Sequence, residues 1–367
     1  MVFSDFFRDK TILVTGHTGF IGSWLTLWLH LLGANVIGFS LNYPTNPSLF
    51  KILNLEHNMH HYFGDINDLE QLKKIFSKHR PEIVFHLAAQ SLVRLSYQTP
   101  LTTLQTNIMG TANLLEIIKD TNVKTCIIMT SDKCYRNSES LHAYVEDDPL
   151  GGADPYSASK GATEIVVTSY RQSFFDNSIS QKTRIATVRS GNVIGGGDWA
   201  LDRLIPDCTR SFSNNEPINL RNPTAIRPFQ YVLEPISGML CLTIKMWNDN
   251  LFNESWNIGP LLSDNPSNVK EVVDKVIKYW GGGSWKDVSE KSSLHESKLL
   301  MLNPQKALDK LDWHPVFNLE ESIKETIIWY KKFYEQENDV LEFSKNCISS
   351  YTKKALDLGL KWTHAKF

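Results

Sequence analysis

The chain lacks most of the features that mark secreted, membrane-spanning or nucleic-acid-binding proteins. Its 367 residues include only five cysteines, an odd number without a CxxC pair, so neither a disulfide framework nor a zinc or other metal site is expected. No apolar run of about 18 residues and no signal-peptide core near the start is found, so no membrane contact is predicted. The formal net charge of -2 offers no basic field to nucleic acid. Together these absences predict a cytoplasmic protein.

Apolar strand patterns alternate with helical patterns through the first half of the chain. Strands are predicted at 11–15, 35–39, 60–63, 83–87, 125–130 and 184–189, and helices at 21–32, 68–79, 100–120 and 157–175. This alternation is typical of βαβ units. The predicted fold class is therefore α/β, a Rossmann-type doubly wound parallel sheet with a smaller C-terminal substrate-binding lobe.

A glycine-rich turn follows the first strand. Gly16, Gly19 and Gly22 are spaced three and three apart, and Thr18, Phe20 and Ile21 lie between them. In a dinucleotide site the first glycine permits the tight turn, the second lets the backbone approach a pyrophosphate, and the third allows close helix–strand packing. The helix that follows presents its N-terminal N–H groups to the phosphates. Because the motif follows a strand and opens a helix, it predicts dinucleotide binding.

The end of the second predicted strand departs from the usual dinucleotide pattern. An acidic residue is expected there to hold the ribose hydroxyls of NAD, but the sequence has 39–42, FSLN, in which Ser40 or Asn42 could bond more weakly. No arginine is present for a 2′-phosphate, so NAD remains the predicted cofactor. Asp65 could accept from the adenine amino group or be an ordinary loop aspartate. The other expected cofactor contacts are Ile66, Leu87, Ala88 and Ala89, whereas His86 is predicted to be simply a buried histidine.

The glycine turn and a later change in composition together predict two lobes. Residues 1–194 are expected to form the NAD-binding lobe. After about residue 195 glycine, proline and polar residues become frequent, so 195–350 is predicted to be mainly a smaller lobe, with some segments returning to the first. The family resemblance described below implies that this is a sugar-nucleotide-binding lobe. Helical patterns are predicted at 229–247 and 269–280. Residues 351–367 are predicted to be a weakly determined tail.

Two polar motifs suggest the chemistry. Tyr156 and Lys160 are four residues apart on a predicted helix, so their side chains share one face. A nearby ammonium and the positive nicotinamide would lower the pKa of the phenol, which could then act as a general base. Ser131 ends the preceding strand and is suited to bond the same substrate oxygen. Asp132 and Lys133 add an acid–base pair that a simple dehydrogenase does not need.

The glycine turn, Ser131, Tyr156 and Lys160 resemble those of extended short-chain dehydrogenase/reductases. More narrowly, the chain resembles CDP-glucose 4,6-dehydratases up to about residue 350. The segments that carry this resemblance are TSDKCY at 130–135, DPLGG at 148–152, DPYSASK at 154–160, GNVIGGGDWA at 191–200, RLIPD at 203–207 and RPFQYVLEP at 227–235. In the related dTDP-glucose enzymes the position of Lys133 carries glutamate, so lysine there is typical of the CDP-glucose branch.

The resemblance implies a lyase reaction on NAD. The C4 hydroxyl of CDP-glucose is oxidised while Tyr156 takes its proton, water is lost across C5 and C6, and the hydride returns to C6. Asp132 would protonate the leaving hydroxyl, and Lys133 would be the C5 base, which requires a neutral amine. The family context further implies polysaccharide biosynthesis as the destination of the product.

Substrate contacts and assembly also follow from the resemblance. Asn192, Arg203 and Arg227 match the family's diphosphate contacts, and arginine suits phosphate because its fork binds two oxygens. Further candidates for the substrate pocket are Gln90, Arg94, Arg221, His295 and Glu296. A homodimer is expected through helices 100–120 and 157–175, with the apolar residues Leu104, Ile108, Leu114, Ile165, Val166 and Tyr170. The alternative is that these residues only face their own sheet.

Two other functions remain open at this stage. The first is a different NAD-dependent epimerase or dehydratase that acts on a dTDP-, GDP- or UDP-sugar. The Asp132–Lys133 pair argues against epimerisation, which needs no acid–base pair for elimination. The second is a non-catalytic NAD-sensing protein, and the retention of Ser131, Tyr156 and Lys160 argues against it.

Overall fold

The computed structural model describes residues 2–175, 183–263, 267–289, 299–335 and 339–363. Its strands, in chain order, are β1 (Thr11–Thr15), β2 (Asn35–Ser40), β3 (His60–Phe63), β4 (Ile83–His86), β5 (Thr125–Met129), β6 (Ala143–Tyr144), β7 (Arg184–Ser190), β8 (Asn192–Ile194), β9 (Ile218–Leu220), β10 (Phe229–Tyr231), β11 (Ser255–Ile258), β12 (Trp285–Asp287) and β13 (Met301–Leu302).

A parallel sheet of seven strands forms the centre of the molecule, in the order β11-β7-β5-β4-β1-β2-β3. The strand order reverses at β1, where Thr15 pairs with Phe39 on one side and with His86 on the other. Ligands of open α/β sheets bind beyond the carboxyl ends of the strands at such a switch point. The predicted fold class is confirmed, and the switch point locates the expected site.

Helices cover both faces of the sheet. They are α1 (Ser4–Phe7), α2 (Phe20–Leu31), α3 (Leu49–Ile52), α4 (Leu69–His79), α5 (Val93–Gln98), α6 (Pro100–Leu104), α7 (Gly110–Lys119), α8 (Pro155–Tyr170), α9 (Leu204–Ser213), α10 (Leu233–Asn248), α11 (Val269–Trp280), α12 (Gln305–Lys310), α13 (Leu319–Tyr334) and α14 (Val340–Asp357). Alternate residues of β1 point to opposite faces, so Ile12 and Val14 join one core cluster and Leu13 joins the other. Among the described helices, none has the length and apolar composition needed to cross a bilayer.

Two predicted helices differ in part from the structure, and a third, expected at 157–175, consists of α8 followed by a π-helical turn, Arg171–Phe175. The helix expected at 100–120 contains a π-helical turn, Gln105–Met109, between α6 and α7. The helix expected at 229–247 is wrong in its first residues, because Phe229–Tyr231 form β10, which pairs with β8. Short apolar runs do not distinguish a buried strand from a buried helix, and only the partner strand decides. The prediction of 269–280 matches α11, Val269–Trp280.

The predicted tail at 351–367 is wrong over its described part, 351–363. Helix α14 runs from Val340 to Asp357 and places Tyr351 in the core with no exposed surface. The Tyr351 hydroxyl donates to Glu234 at 2.6 Å, and the Trp362 ring stacks on Phe3 at 5.4 Å. Apolar residues at helical spacing bury this segment against α2 and α10, although its overall composition is polar. Residues 364–367 lie outside the described part of the chain.

Removing the buried side chain of Tyr351 is expected to destabilise the protein. Tyr351→Ala would leave a cavity and remove a hydrogen bond to Glu234, at a cost of about 3–5 kcal/mol in the free energy of unfolding. Urea titration measures this change. Leu356→Ala on the same helix is the matched control, because Leu356 is 42% exposed and should change stability by no more than about 0.5 kcal/mol. Equal stability of the two variants would mean that α14 does not belong to the core.

Candidate active site

The glycine turn is shaped by close backbone packing. Gly16 has a φ of +74°, and a Cβ there would lie 2.7 Å from the backbone nitrogen of Ala88. A Cβ on Gly22 would overlap the carbonyl oxygen of Gly16. Gly19 is the N-cap of α2 and gives no side-chain cap, so the first N–H groups of the helix are not capped by a side chain. This arrangement fits a pyrophosphate at the helix N-terminus.

The turn opens into a cavity of about 1150 Å³ beyond the carboxyl ends of the strands. Every predicted cofactor residue lines this cavity, and so does every predicted substrate residue in the described part of the chain. His295 and Glu296 lie outside the described residues. The predicted catalytic residues Ser131, Lys133, Tyr156 and Lys160 also line it, whereas Asp132 does not. The cavity thus brings together residues separated by more than half of the chain.

Ser40 supports the glycine turn through a buried histidine that the sequence reasoning missed. The Ser40 hydroxyl accepts from the Thr18 backbone N–H at 3.3 Å and lies 2.8 Å from Nδ1 of His17. A Cβ on Gly38 would overlap the His17 ring. This glycine in the middle of β2 is therefore the sequence feature that could have indicated a side chain packed closely against the strand. Burial lowers the pKa of His17 to about 3. The Ser40 hydroxyl is therefore already engaged, and its contact with a ribose remains a prediction.

The neighbouring cofactor candidates have structural contacts of their own. Asp65 accepts at Oδ1 from the backbone and side chain of Asn67, at 2.9 and 3.0 Å, which forms a tight turn. Ile66 is buried and fills the space left by Gly110. His86 is confirmed as a buried histidine, with its two ring nitrogens bonded to Thr15 and Thr111. The adenine contact of Asp65 remains a prediction.

Tyr156 and Lys160 lie one turn apart near the start of α8. Asp154 caps this helix by accepting from the Ser157 N–H at 2.9 Å. Burial raises the pKa of Tyr156 to about 12, against the opposing effect of a hydrogen bond with Ser131. Burial also lowers the pKa of Lys160 to about 8, and its Nζ donates to the carbonyl of Met129 at 3.2 Å. In this structure, the effect of burial on the pKa of Tyr156 therefore outweighs the lowering that was expected from the sequence.

Asp132 and Lys133 form an ion pair next to Ser131. Lys133 Nζ lies 3.2 Å from Oδ1 of Asp132 and 3.4 Å from Oδ1 of Asn192. The Asp132 side chain is completely buried and also accepts from the Ser131 hydroxyl at 2.8 Å. Its second oxygen, Oδ2, is buried without a hydrogen-bond partner in the described structure. Lys133 therefore faces the cavity, and Asp132 contacts it only through its neighbours.

Four arginine side chains line one part of the cavity and form an arginine wall: Arg94, Arg203, Arg221 and Arg227. Arg203 donates to Oδ2 of Asp198 at 2.9 Å and to the Ser91 hydroxyl at 3.1 Å. Arg221 and Arg94 share one carboxylate oxygen of Asp202, at 2.6 and 3.9 Å. Arg227 lines the same cavity. A phosphate-bearing ligand fits this arginine wall, because guanidinium groups bind phosphate oxygens in pairs, although Asp198 and Asp202 of the same cavity already pair with three of the arginines.

Comparison with known proteins identifies the family. A sequence model described as GDP-mannose 4,6 dehydratase matches residues 13–326. The chain belongs to this family. One relative, a CDP-glucose 4,6-dehydratase from Salmonella typhimurium, is 46% identical over 355 residues, which cover 96% of this chain and 98% of the relative. The resemblance inferred from the motifs is thereby confirmed. A UDP-glucuronate 4-epimerase from Thermodesulfobacterium geofontis is 29% identical and covers 87% of this chain and 96% of its own length.

Solved structures related to this dehydratase-family chain share its architecture. The UDP-glucose 4-epimerase of Thermotoga maritima, solved with UDP-glucose, matches with a TM-score of 0.73 at 26% identity and covers 88% of this chain and 99% of its own. The dTDP-glucose 4,6-dehydratase of Bacillus anthracis, solved with NAD, matches with a TM-score of 0.74 at 22% identity and covers 91% and 99%. The second match supports the fold alone.

Asn107, which the sequence analysis did not identify, connects two parts of the site. It lies in the π-helical turn, a feature often found at functional sites. Its side chain accepts from the Gln90 N–H at 2.8 Å and donates to the Ser159 hydroxyl at 2.8 Å. The Gln90 amide itself donates to Thr103 and accepts from the Leu92 N–H. Gln90 is thus held within the scaffold, and its contact with substrate remains a prediction.

Proposed function

We propose that this protein converts CDP-glucose to CDP-4-keto-6-deoxyglucose and water, with NAD as its resident cofactor. The observation that carries the proposal is the 46% identity over nearly the full length of a CDP-glucose 4,6-dehydratase. The cavity with its glycine turn, its Ser131–Tyr156–Lys160 group and its arginine wall supports the same reaction. The choice of cytidine over other nucleotides rests on the relative.

The residues at the switch point fit NAD. The pyrophosphate would lie against Gly16, Gly19 and the first turn of α2. A Cβ on Gly16 would overlap backbone there, one on Gly19 would lie 3.2 Å from the Gly16 carbonyl oxygen, and no side chain caps the helix. Bound there, NAD supplies a reversible hydride acceptor for the sugar. Lys160 and Tyr156 line the same cavity, so the reacting end of the cofactor would lie beside them.

The chain's own residues would move the protons. Tyr156 takes the proton of the C4 hydroxyl, with Ser131 bonded to the same oxygen. Lys133 and Asp132 are close enough, at 3.2 Å, for a proton to pass from the ammonium to the carboxylate. The resulting neutral pair has both groups that elimination requires: a free amine at the cavity to remove the C5 proton, and a buried carboxylic acid whose proton would reach the leaving C6 hydroxyl through the Ser131 hydroxyl, 2.8 Å from Asp132. The arginine wall would hold the diphosphate.

Incubation of the purified protein with CDP-glucose tests the proposal. A 4-keto-6-deoxy product without net formation of NADH is expected, and it can be identified by mass spectrometry and NMR. UDP-, GDP- and dTDP-glucose are tested in parallel to define the base preference. A C4 epimer would instead indicate an epimerase, and NAD binding without turnover of any sugar nucleotide would indicate a sensing protein.

A homodimer is part of the proposal. Large apolar side chains on α6, α8 and the π-helical turns Gln105–Met109 and Arg171–Phe175 are exposed, among them Leu101 (78%), Met109 (52%), Ile165 (59%) and Phe174 (41%). Leu114, which was also expected at the interface, is completely buried against its own sheet, so that part of the expectation is wrong. Exposed apolar patches of this kind typically mark protein interfaces.

Light scattering is expected to give twice the monomer mass at micromolar protein. Ile165→Glu would place a charge in the patch and should give monomers, whereas Leu251→Glu, at a residue 75% exposed outside these helices, should remain dimeric. A monomer mass for the parent protein would refute the dimer.

A cytoplasmic location and a role in polysaccharide biosynthesis complete the proposal. All five cysteines are free and buried, in keeping with a reducing compartment.

A further inference from the structure

Glu164 is a buried carboxylate one helical turn beyond Lys160 on α8. It has no exposed surface. One carboxylate oxygen accepts from the Thr130 hydroxyl, and the other accepts from Thr187 at 2.8 Å, Ser255 at 3.0 Å and Arg189 at 2.8 Å. Burial opposes ionisation, but Arg189 and these hydroxyls hold the pKa of Glu164 below its usual value. Glu164 is therefore a fixed negative charge in the core.

Arg189 is equally well bound on its other side. Its Nη1 donates to the Tyr135 hydroxyl at 2.9 Å and to the carbonyl of Glu146 at 2.8 Å. The Tyr135 hydroxyl in turn donates to Oδ1 of Asn257 at 2.7 Å. These contacts join the segment after β5 to β7 and β11, and Glu164 connects them to the catalytic helix, α8. Because Thr130 directly precedes Ser131, the Glu164 network also fixes the end of β5 that carries the serine.

The groups that act on Lys160 come from several packed elements. Glu164 lies on the same helix, Cys134 on the 3₁₀ turn after β5, and His86 at the end of β4. Burial lowers the pKa of His86 to about 3 and raises that of the Cys134 thiol, so both are neutral near pH 7. The Met129 carbonyl contributes only a dipole. Glu164 is the ionised group in this set, and its charge favours the protonated amine.

We propose that Glu164 is a positioning residue that keeps Lys160 charged and holds Ser131 in register with the catalytic helix. It acts through these two residues and does not line the cavity. The inference rests on the proposed roles of Tyr156 and Lys160. Its physical basis is the geometry of one carboxylate, one helical turn from the lysine, bonded to the strand end that leads to the serine.

Direct measurement of Lys160 ionisation tests this role without requiring turnover. Cyanate carbamylates only the neutral amine, so the pH dependence of Lys160 modification, followed by peptide mass spectrometry, gives its pKa. Burial is expected to lower this pKa to about 8 in the parent. Glu164→Gln should shift the midpoint down by about one pH unit or more, because the counter-charge is lost. The high-pH limb of kcat for CDP-glucose should move in the same direction.

Two further variants separate charge from structure. Glu164→Gln alone leaves Arg189 buried without its carboxylate, so the double variant Glu164→Gln/Arg189→Met provides a neutral pair that is better tolerated in the core. Glu146→Gln is the matched control, because Glu146 belongs to the same network through Asn257 but does not act on Lys160. The double variant should shift the Lys160 midpoint, and Glu146→Gln should leave it in place.

The outcomes distinguish this inference from the proposed function. An unchanged Lys160 midpoint in the double variant would overturn the role of Glu164, whatever the turnover. A shifted midpoint in a parent protein that does not convert CDP-glucose would support the role of Glu164 and refute the proposed reaction. A uniform loss of kcat in all three variants, with unchanged midpoints, would reduce Glu164 to a purely structural residue.

Discussion

Replacing Tyr156 by phenylalanine is expected to reduce kcat by roughly 10²–10⁴-fold, because a general base typically contributes that much. The ring is 7% exposed and its packing is retained, so the fold and the urea midpoint should stay close to those of the parent. Only the oxygen that accepts the C4 proton is lost. The measurement is the rate of 4-keto-6-deoxy product formation from CDP-glucose at saturating substrate.

Tyr170→Phe is the matched control for this experiment. Tyr170 lies on the same helix, and its hydroxyl is bonded to Glu116 at 3.3 Å outside the cavity. The same chemical change there should leave kcat within about threefold of the parent. If Tyr156→Phe also stays within that range, Tyr156 is not the base. If both variants lose activity together with stability, the loss reports the helix and not the hydroxyl.

Local motifs explain why part of the site could be predicted from the sequence. Gly16, Gly19 and Gly22 lie within one strand–turn–helix unit, and the structure places all three around the helix N-terminus at the cavity. Tyr156 and Lys160 are four residues apart on one helix, so their common orientation follows from helical periodicity. In both cases the geometry depends on a few neighbouring residues, which the sequence records directly.

The contacts that the sequence did not reveal join distant parts of the chain. His17 is bonded to Ser40 and to His61, and Asn107 is bonded to Ser159. No local pattern distinguishes such residues from ordinary loop or helix residues, because their partners are set by the sheet order. For the same reason the burial of Asp132 could not be foreseen from a Ser-Asp-Lys loop, which is more often exposed to solvent.

The C-terminal segment shows the same limit for the fold. Tyr351 is bonded to Glu234, which also accepts from the backbone N–H groups of Val316 and Phe317. Burial raises the pKa of Glu234 to about 7, so the contact between α14 and α10 contains a carboxyl group whose pKa is near neutral. A polar helix at the end of a chain is unremarkable in sequence, and only its docking partners make it part of the core. The division of the chain at residue 195 stays a prediction, because one core cluster includes residues from both sides of it.

Lys133→Met is expected to stop the reaction after the first step. Tyr156, Lys160 and the glycine turn are unchanged, so oxidation at C4 should proceed, but the C5 proton then has no amine to accept it. NADH absorbance should accumulate on the enzyme in a single turnover, and solvent deuterium should not enter at C5. Formation of the 4-keto-6-deoxy product should fall by roughly 10²–10⁴-fold, the contribution of one general base.

The neighbouring carboxylate requires its own control, because Lys133→Met leaves the buried Asp132 without its ammonium partner. An unpaired buried carboxylate takes up a proton or destabilises the fold. The double variant Asp132→Asn/Lys133→Met removes both charges and should be better folded, yet it should still accumulate NADH. Asp132→Asn alone keeps the amine, so it should slow the loss of the C6 hydroxyl while some exchange at C5 continues. Lys124→Met, at an exposed lysine that does not line the cavity, should behave as the parent. If Lys133→Met forms no NADH, the lysine serves substrate binding or oxidation; if it turns over normally, another group, such as Asp132, removes the C5 proton.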